Sequence, residues 1–278
     1  MPTFPTATPV PVVVDLPVGS LHVVAGERAD VVVTVLPTDS AKPRDVRAAE
    51  EVRVERVAES VTITGPRWKQ FLPFAAGTPT VTVELPAGSD LSGTASTLYT
   101  EGLLGTVDVT VTAGDARVDE AGRLDLKVKA GSVVVGRTTG AASVQANAGS
   151  VRIAELAGDA TIRATTAATT VGSVTGSLHV SGAHGEVVVG RVRGTLTAKA
   201  ASAGIRVDRV ESGTVTLSTS YGSIEVGVPE GTAAWLDVAS QHGTVRNQLR
   251  PAEGPVDDEA TAEIHASTGY GDIIVRRP

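Results

Sequence analysis

From residue 105 onward the chain keeps an 18-residue beat, and few folds can satisfy one. Gly122, Gly140, Gly158, Gly176 and Gly194 stand 18 apart, with Gly105 preceding by 17 and Gly213 following by 19. Nine residues into each unit comes a second small residue: Gly131, Gly149, Ala167, Gly185, Ala203 and Gly222. Small residues at fixed intervals permit tight corners, and a fixed period is the mark of stacked, like supersecondary units.

Apolar residues hold constant places in this frame. Two and four residues after the leading glycine come Leu178 and Val180, or Leu196 and Ala198; eleven and thirteen after it come Val151 and Ile153, or Val187 and Val189. Offset 16 adds Leu156, Val174, Val192 and Val210. Alternation at period two means strands with one buried face. Strands this short cannot bury a core alone, but coils stacked about 4.8 Å apart can line a continuous one. Offset 6 holds Val128, Ala146, Ala164, Gly182 and Ala200, so one side of the interior is narrow. The pattern predicts an all-β fold: a three-faced parallel β-solenoid (β-helix), right-handed because crossovers between parallel strands overwhelmingly take that hand.

Sliding the template extends it to a first coil starting near residue 10 and to coils starting near Ala234 and Ala262. One repeat domain over 1–278 is expected. It comprises irregular coils at 10–104 with insertions at 37–50 and 66–78, regular coils at 105–249, an acidic loop at 250–261 and a terminal coil at 262–278. Pro43 followed by good helix formers through Glu51 predicts one short helix. The second insertion places Trp68, Phe71 and Phe74 within seven residues, in a chain with only eight Trp, Tyr and Phe in all. These rings would either cap the first coils or form an exposed patch that docks a partner or a membrane surface.

The 24 basic and 31 acidic residues leave a net charge of −7, which disfavours a general binder of nucleic-acid phosphates. Without cysteine there is neither a disulfide framework nor a thiolate metal site. No run of 18 apolar residues and no basic-then-apolar leader is present, so a cytoplasmic protein with no membrane span is expected.

Several segments carry a family likeness. Val14-Asp15-Leu16-Pro17-Val18-Gly19-Ser20-Leu21, Asp45 to Glu50, Glu84-Leu85-Pro86-Ala87-Gly88-Ser89, the serial Gly-Ser-Val strands, Ala233-Ala234-Trp235-Leu236-Asp237 and the closing Gly271 to Arg277 are the segments concerned. Together they resemble the bacterial β-strand-repeat family that carries the name "putative adhesin", most of all its actinobacterial, anchorless branch. The resemblance implies a β-helical repeat fold. It brings no catalytic motif with it, and a fold by itself does not specify function.

Motifs for chemistry are missing: there is no Gly-x-Ser-x-Gly elbow, His-Glu-x-x-His, phosphate loop or dinucleotide fingerprint. The histidines at 22, 179, 184, 242 and 265 lack metal-ligand spacing, and no outward column repeats a carboxylate as a glycosidase pair would need. No cofactor, metal or catalytic residue is expected. Offsets 5 and 15 form mildly basic stripes, read as solvated faces. The column before the mid-unit corner ends in Tyr221, His242 and Tyr270, which would stack three rings. The favoured function is a non-enzymatic scaffold that binds a protein, another copy of itself included. The second is a carbohydrate- or ligand-binding β-helix with Tyr221, His242 and Tyr270 as its platform.

Overall fold

Alternating valine, isoleucine and leucine give each half-coil one apolar face, and the small corner residues let the chain turn so that the next half-coil continues that face. The computed structural model describes residues 2–6, 8–66, 77–250 and 259–278, which group into two compact units, Met1–Ala141 and Ala142–Pro278. The aromatic insertion with Trp68, Phe71 and Phe74, and residues 251–258 of the acidic loop, lie outside the described residues.

The first unit contains β1 (Thr3–Pro5), β2 (Pro11–Gly26), β3 (Asp30–Pro37), α1 (Pro43–Glu50), β4 (Arg53–Val57), β5 (Ser60–Thr64) and β6 (Pro79–Pro86). It continues with β7 (Asp90–Glu101), β8 (Leu103–Val111), β9 (Ala116–Val128) and β10 (Gly131–Thr138). From β7 onward the coils stack in sequence order with parallel registers such as Val107↔Leu124 and Val133↔Ala116. At the start they do not. Strand β2 lies between β7 on one side and β5 with β6 on the other, so the coil outside the first one in sequence is built by later residues.

That outer coil is covered by antiparallel strands, where the repeat pattern predicts only parallel ones. Strand β4 pairs antiparallel with β5, β3 with β6, and β1 with β3. For β4 and β5 a short connection explains the difference, because the two residues between them allow only a hairpin, whereas a parallel return needs a crossover. The predicted helix is α1, with Pro43 at its first turn. It rests on β3 and β6. Ala48 is fully buried, and buried Asp45 accepts the Thr78 N–H at 3.0 Å.

In the second unit each coil gives two strands. These are β11 (Ala142–Ala146), β12 (Gly149–Leu156), β13 (Ala160–Ala164), β14 (Ala168–Val174), β15 (Ser177–Gly182), β16 (Val187–Val192), β17 (Thr195–Ala200) and β18 (Ile205–Val210). Then come β19 (Gly213–Tyr221), β20 (Ile224–Gly227), β21 (Thr232–His242), β22 (Val245–Asn247), β23 (Ala260–Tyr270) and β24 (Ile273–Arg276). Pairing is parallel and offset by one repeat, as in Ala142↔Ala160 and Val189↔Val207, each 18 apart. The residues at offsets 2, 4, 11 and 13 are buried in the coils from Gly122 to Gly227, and offset 16 adds the buried Leu156, Val174, Val192 and Val210.

Alternation breaks once per coil. After Val151 and Ile153 the next buried residue is Leu156, three positions on, and the break falls at small residues such as Ala154, Gly172 and Gly190. A Cβ added to Gly172 would sit 2.5 Å from the Ala154 carbonyl oxygen one coil below. This third corner gives the coil its three straight segments.

The end of this unit departs from sequence order as well. Strand β23 lies between β19 and β21, with Ile264 paired to both Val215 and Leu236, and β24 likewise lies between β20 and β22. The last coil in the chain is therefore an inner one, and residues 232–247 form the outermost coil.

Candidate functional site

The stacking order decides how the predicted ring column is built. Tyr270 sits between Tyr221 and His242 because its strand sits between theirs. The Tyr221 and Tyr270 centroids are 5.0 Å apart with planes 5° from parallel, and Tyr270 and His242 are 4.4 Å apart at 19°. All three side chains are exposed on the outer surface. Face-to-face stacking at the repeat spacing covers both faces of Tyr270 and one face each of Tyr221 and His242. Rings stacked in this way have the geometry of a stiffening ladder.

Because Tyr270 has two ring contacts and Tyr221 one, the two should respond unequally to truncation. Tyr221→Ala is expected to cost about 0.5–1.5 kcal/mol and Tyr270→Ala roughly twice that, the scale of one and two aromatic pairs. Urea unfolding of the two variants checks this; equal and negligible losses would mean the ladder adds nothing to stability.

Two further ring contacts escape sequence reasoning. His22 and Tyr99 meet at 5.0 Å where β2 pairs with β7, strands separated by a long stretch of sequence. Trp235 meets the His265 ring edge-on at 5.2 Å. His265 in turn faces Asp237 at 3.4 Å through Nδ1 and Glu263 at 3.1 Å through Nε2. The repeat frame holds the signal for this cluster, since Asp237 and His265 share an offset once Ala234 and Ala262 are aligned.

Near Trp235 lies a cleft of about 950 Å³ in the second unit. Its lining includes Trp235, Asn247, Arg250, Glu259, Glu263 and Arg277, so its charge is mixed. The cleft lies at the starts of β19, β21 and β23, whereas the Tyr221 column stands at their ends.

Carboxylates elsewhere have structural work. Asp115 accepts the Ser132 N–H at 2.8 Å, Asp159 the Ser177 N–H at 3.2 Å and Asp272 the Thr244 N–H at 2.8 Å, each reaching to the neighbouring coil at a corner. Corner N–H groups that leave the strand ladder need such acceptors. The signal was in the sequence as Gly114-Asp115, Gly158-Asp159 and Gly271-Asp272, but scattered acidic residues conceal it. Surface ion pairs account for the shifted proton affinities. Arg28 is raised by Asp30 and then Glu84, Arg206 is raised by Asp208, and Asp39 is lowered by Lys42 and the Ala41 N–H.

The basic stripes are exposed. In the stripe at offset 15, Arg191 pairs with Glu211 at 3.1 Å, and Arg193 reaches the same carboxylate. Among the described residues no group of three or more His, Asp or Glu is placed to hold a metal ion. None of their helices is long and apolar enough to cross a membrane.

The chain matches the Toastrack DUF4097 family over residues 18–276. It is a member of that family. No curated protein is significantly similar to it in sequence. Solved structures align along nearly its whole length at low identity. A "putative adhesin" from Parabacteroides merdae is 11% identical, covers 99% of this chain and 94% of its own, and has a TM-score of 0.41. A "putative adhesin" from Parabacteroides distasonis is 16% identical, with 99% and 95% covered and a TM-score of 0.38. A "putative cell adhesion protein" from Clostridium sporogenes is 9% identical, with 97% and 93% covered and a TM-score of 0.22. Membership in the Toastrack family agrees with the solenoid-like, mostly parallel architecture and leaves the molecular role open.

Proposed function

We propose that this Toastrack protein is a non-enzymatic, adhesin-like display module whose outward strand faces bind a protein partner. The observation that carries the reading is the in-register outer face of the second unit. There His179, Thr197, Thr216 and His265 follow one another on adjacent parallel strands, beside the column Arg163, Ser181, Lys199, Ser218 and Ser267. Parallel strands about 4.8 Å apart hold such rows rigidly, so a partner meets a preordered surface and little side-chain freedom is lost on contact. Corner carboxylates spent on backbone N–H groups support the non-enzymatic part, because an acid–base pair needs carboxyls free to exchange protons.

The test is chemical cross-linking of the purified protein in extract of its source cells, alongside the variant Arg163→Glu with Lys199→Glu. Both side chains are exposed, so the variant should unfold within about 0.5 kcal/mol of the parent. The reading expects a partner captured by the parent and lost from the folded variant. Capture that ignores the reversal overturns the assignment to this face. Binding on a glycan array, abolished by Tyr221→Ala, would favour the carbohydrate reading instead.

A further inference from the structure

The outermost coil of the second unit is built like an inner one on one edge and open on the other. Strand β21 pairs with β23 along its length, and β22 with β24; among the described residues nothing pairs with their opposite edges. Eleven residues of β21 thus present a row of unpaired N–H and C=O groups about 35 Å long. The core columns end there half covered. Val215 and Ile264 are fully buried, but Leu236 in the same column is only half-buried. Ile224 and Ile273 are likewise buried, whereas Val245 beside them is 39% exposed. Trp235, on the outer face of the same strand, is 57% exposed.

The opposite design appears in the first unit. Its outermost coil, β5 with β6, is closed by antiparallel β4 and β3, and β3 also carries β1 and α1. The outer strand β4 is five residues long with the charged run Arg53, Glu55 and Arg56, devices that discourage edge pairing. Among the described residues the first unit offers a second copy only the short outer edges of β1 and β4, which disfavours head-to-tail growth into a filament. What each copy does offer to the other is the same β21 edge.

We infer that two copies join through β21, antiparallel across a two-fold axis, into a closed dimer. This contact uses a different surface from the display face and does not depend on that reading. The sequence of the strand also selects a register. An axis at Asp237 would set two carboxylates directly opposite each other, which is unfavourable in a cross-strand pair. An axis at Leu236 places Leu236 against Leu236, Ala234 against Val238 and Trp235 against Asp237, with no like charges opposed between Thr232 and Ser240. It continues the Leu236 column into the partner, with each copy presenting the same surface as an isologous contact requires.

The chain has no cysteine, so engineered thiols report the register without background. With the axis at Leu236, Ala233 of one copy faces Ala239 of the other, close enough for a disulfide between opposed antiparallel residues. Sedimentation of the native chain should give a dimer at micromolar concentration. Under mild oxidation A233C with A239C should cross-link to a covalent dimer, while A239C alone should not.

Charge at the solvent-exposed position 235 gives a readout that a damaged fold would not. Trp235→Glu puts Glu against Asp237 of the other copy and should weaken dimerisation at least tenfold relative to Trp235→Lys, which puts an ammonium there. A monomer at 100 μM native chain, equal dimerisation of the two charge variants, or cross-linking of A239C alone as readily as the double variant would each overturn the proposal.

Discussion

Val189→Asp is expected to cost at least about 4 kcal/mol, enough to remove much of the stability of an ordinary domain. Val189 is fully buried on β16, directly between Val171 on β14 and Val207 on β18. The change removes the roughly 1.5–3 kcal/mol that a buried valine contributes and places a carboxylate where its neighbours are methyl groups. No compensating base is available, because the adjacent inward residues on the same strand, Val187 and Val192, are also buried and apolar. Since each coil leans only on its neighbours, the damage should spread along the stack instead of staying local. Val188→Asp, one position away on the outward face, should move the urea midpoint little. Equal effects at 188 and 189 would mean that the strand does not present alternating faces.

That contrast rests on what the sequence displays most openly. Period-two alternation at fixed offsets assigns each side chain to the inside or the outside, and Leu196, Ala198, Ile205 and Val207 are buried as the frame predicts. Neighbour order is another matter. Every coil carries the same inward pattern, so the apolar columns are satisfied whichever coil lies above or below, and residues 260–276 can enter between 213–227 and 232–247 without violating any offset. The same degeneracy lets β5 and β6 stack outside β2. The ring column shows the consequence for a candidate site. Tyr221, His242 and Tyr270 are legible as a stack from their shared offset, but Tyr270 is its centre only because of the inserted coil. The open edge of β21 was beyond the reach of pattern reasoning for the same reason, since the repeat places residues 262–278 last. Corner chemistry was hidden differently: Asp115 and Asp272 share the mid-unit corner but stand many coils apart, and Asp159 serves the leading corner.

Corners also carry the second large effect, expected for Gly213→Ala. Gly213 has φ +98°, a backbone conformation that costs a residue with a side chain roughly 1–2 kcal/mol. The space above the coil beneath is closed as well, because a Cβ at 213 would lie 2.1 Å from the Gly194 carbonyl oxygen and 2.9 Å from its carbonyl carbon. Backbone cannot swing aside as a long side chain can. Either β19 lifts from β17, where Thr195 pairs with Thr214 and Leu196 with Val215, or the corner distorts and the Thr214 N–H loses the Gly194 oxygen it now meets at 3.2 Å. Strain and a weakened ladder together should cost about 2–4 kcal/mol. Gly26→Ala separates this steric effect from the general consequence of replacing glycine, for a Cβ at 26 meets nothing within 4 Å. That control should be neutral or slightly stabilising, because alanine restricts the unfolded chain more than glycine does. Thermal and urea unfolding of the pair decide the matter. Should Gly213→Ala unfold at the same midpoint as Gly26→Ala, the close stacking of corner backbones would not be what fixes glycine at the repeat's leading position.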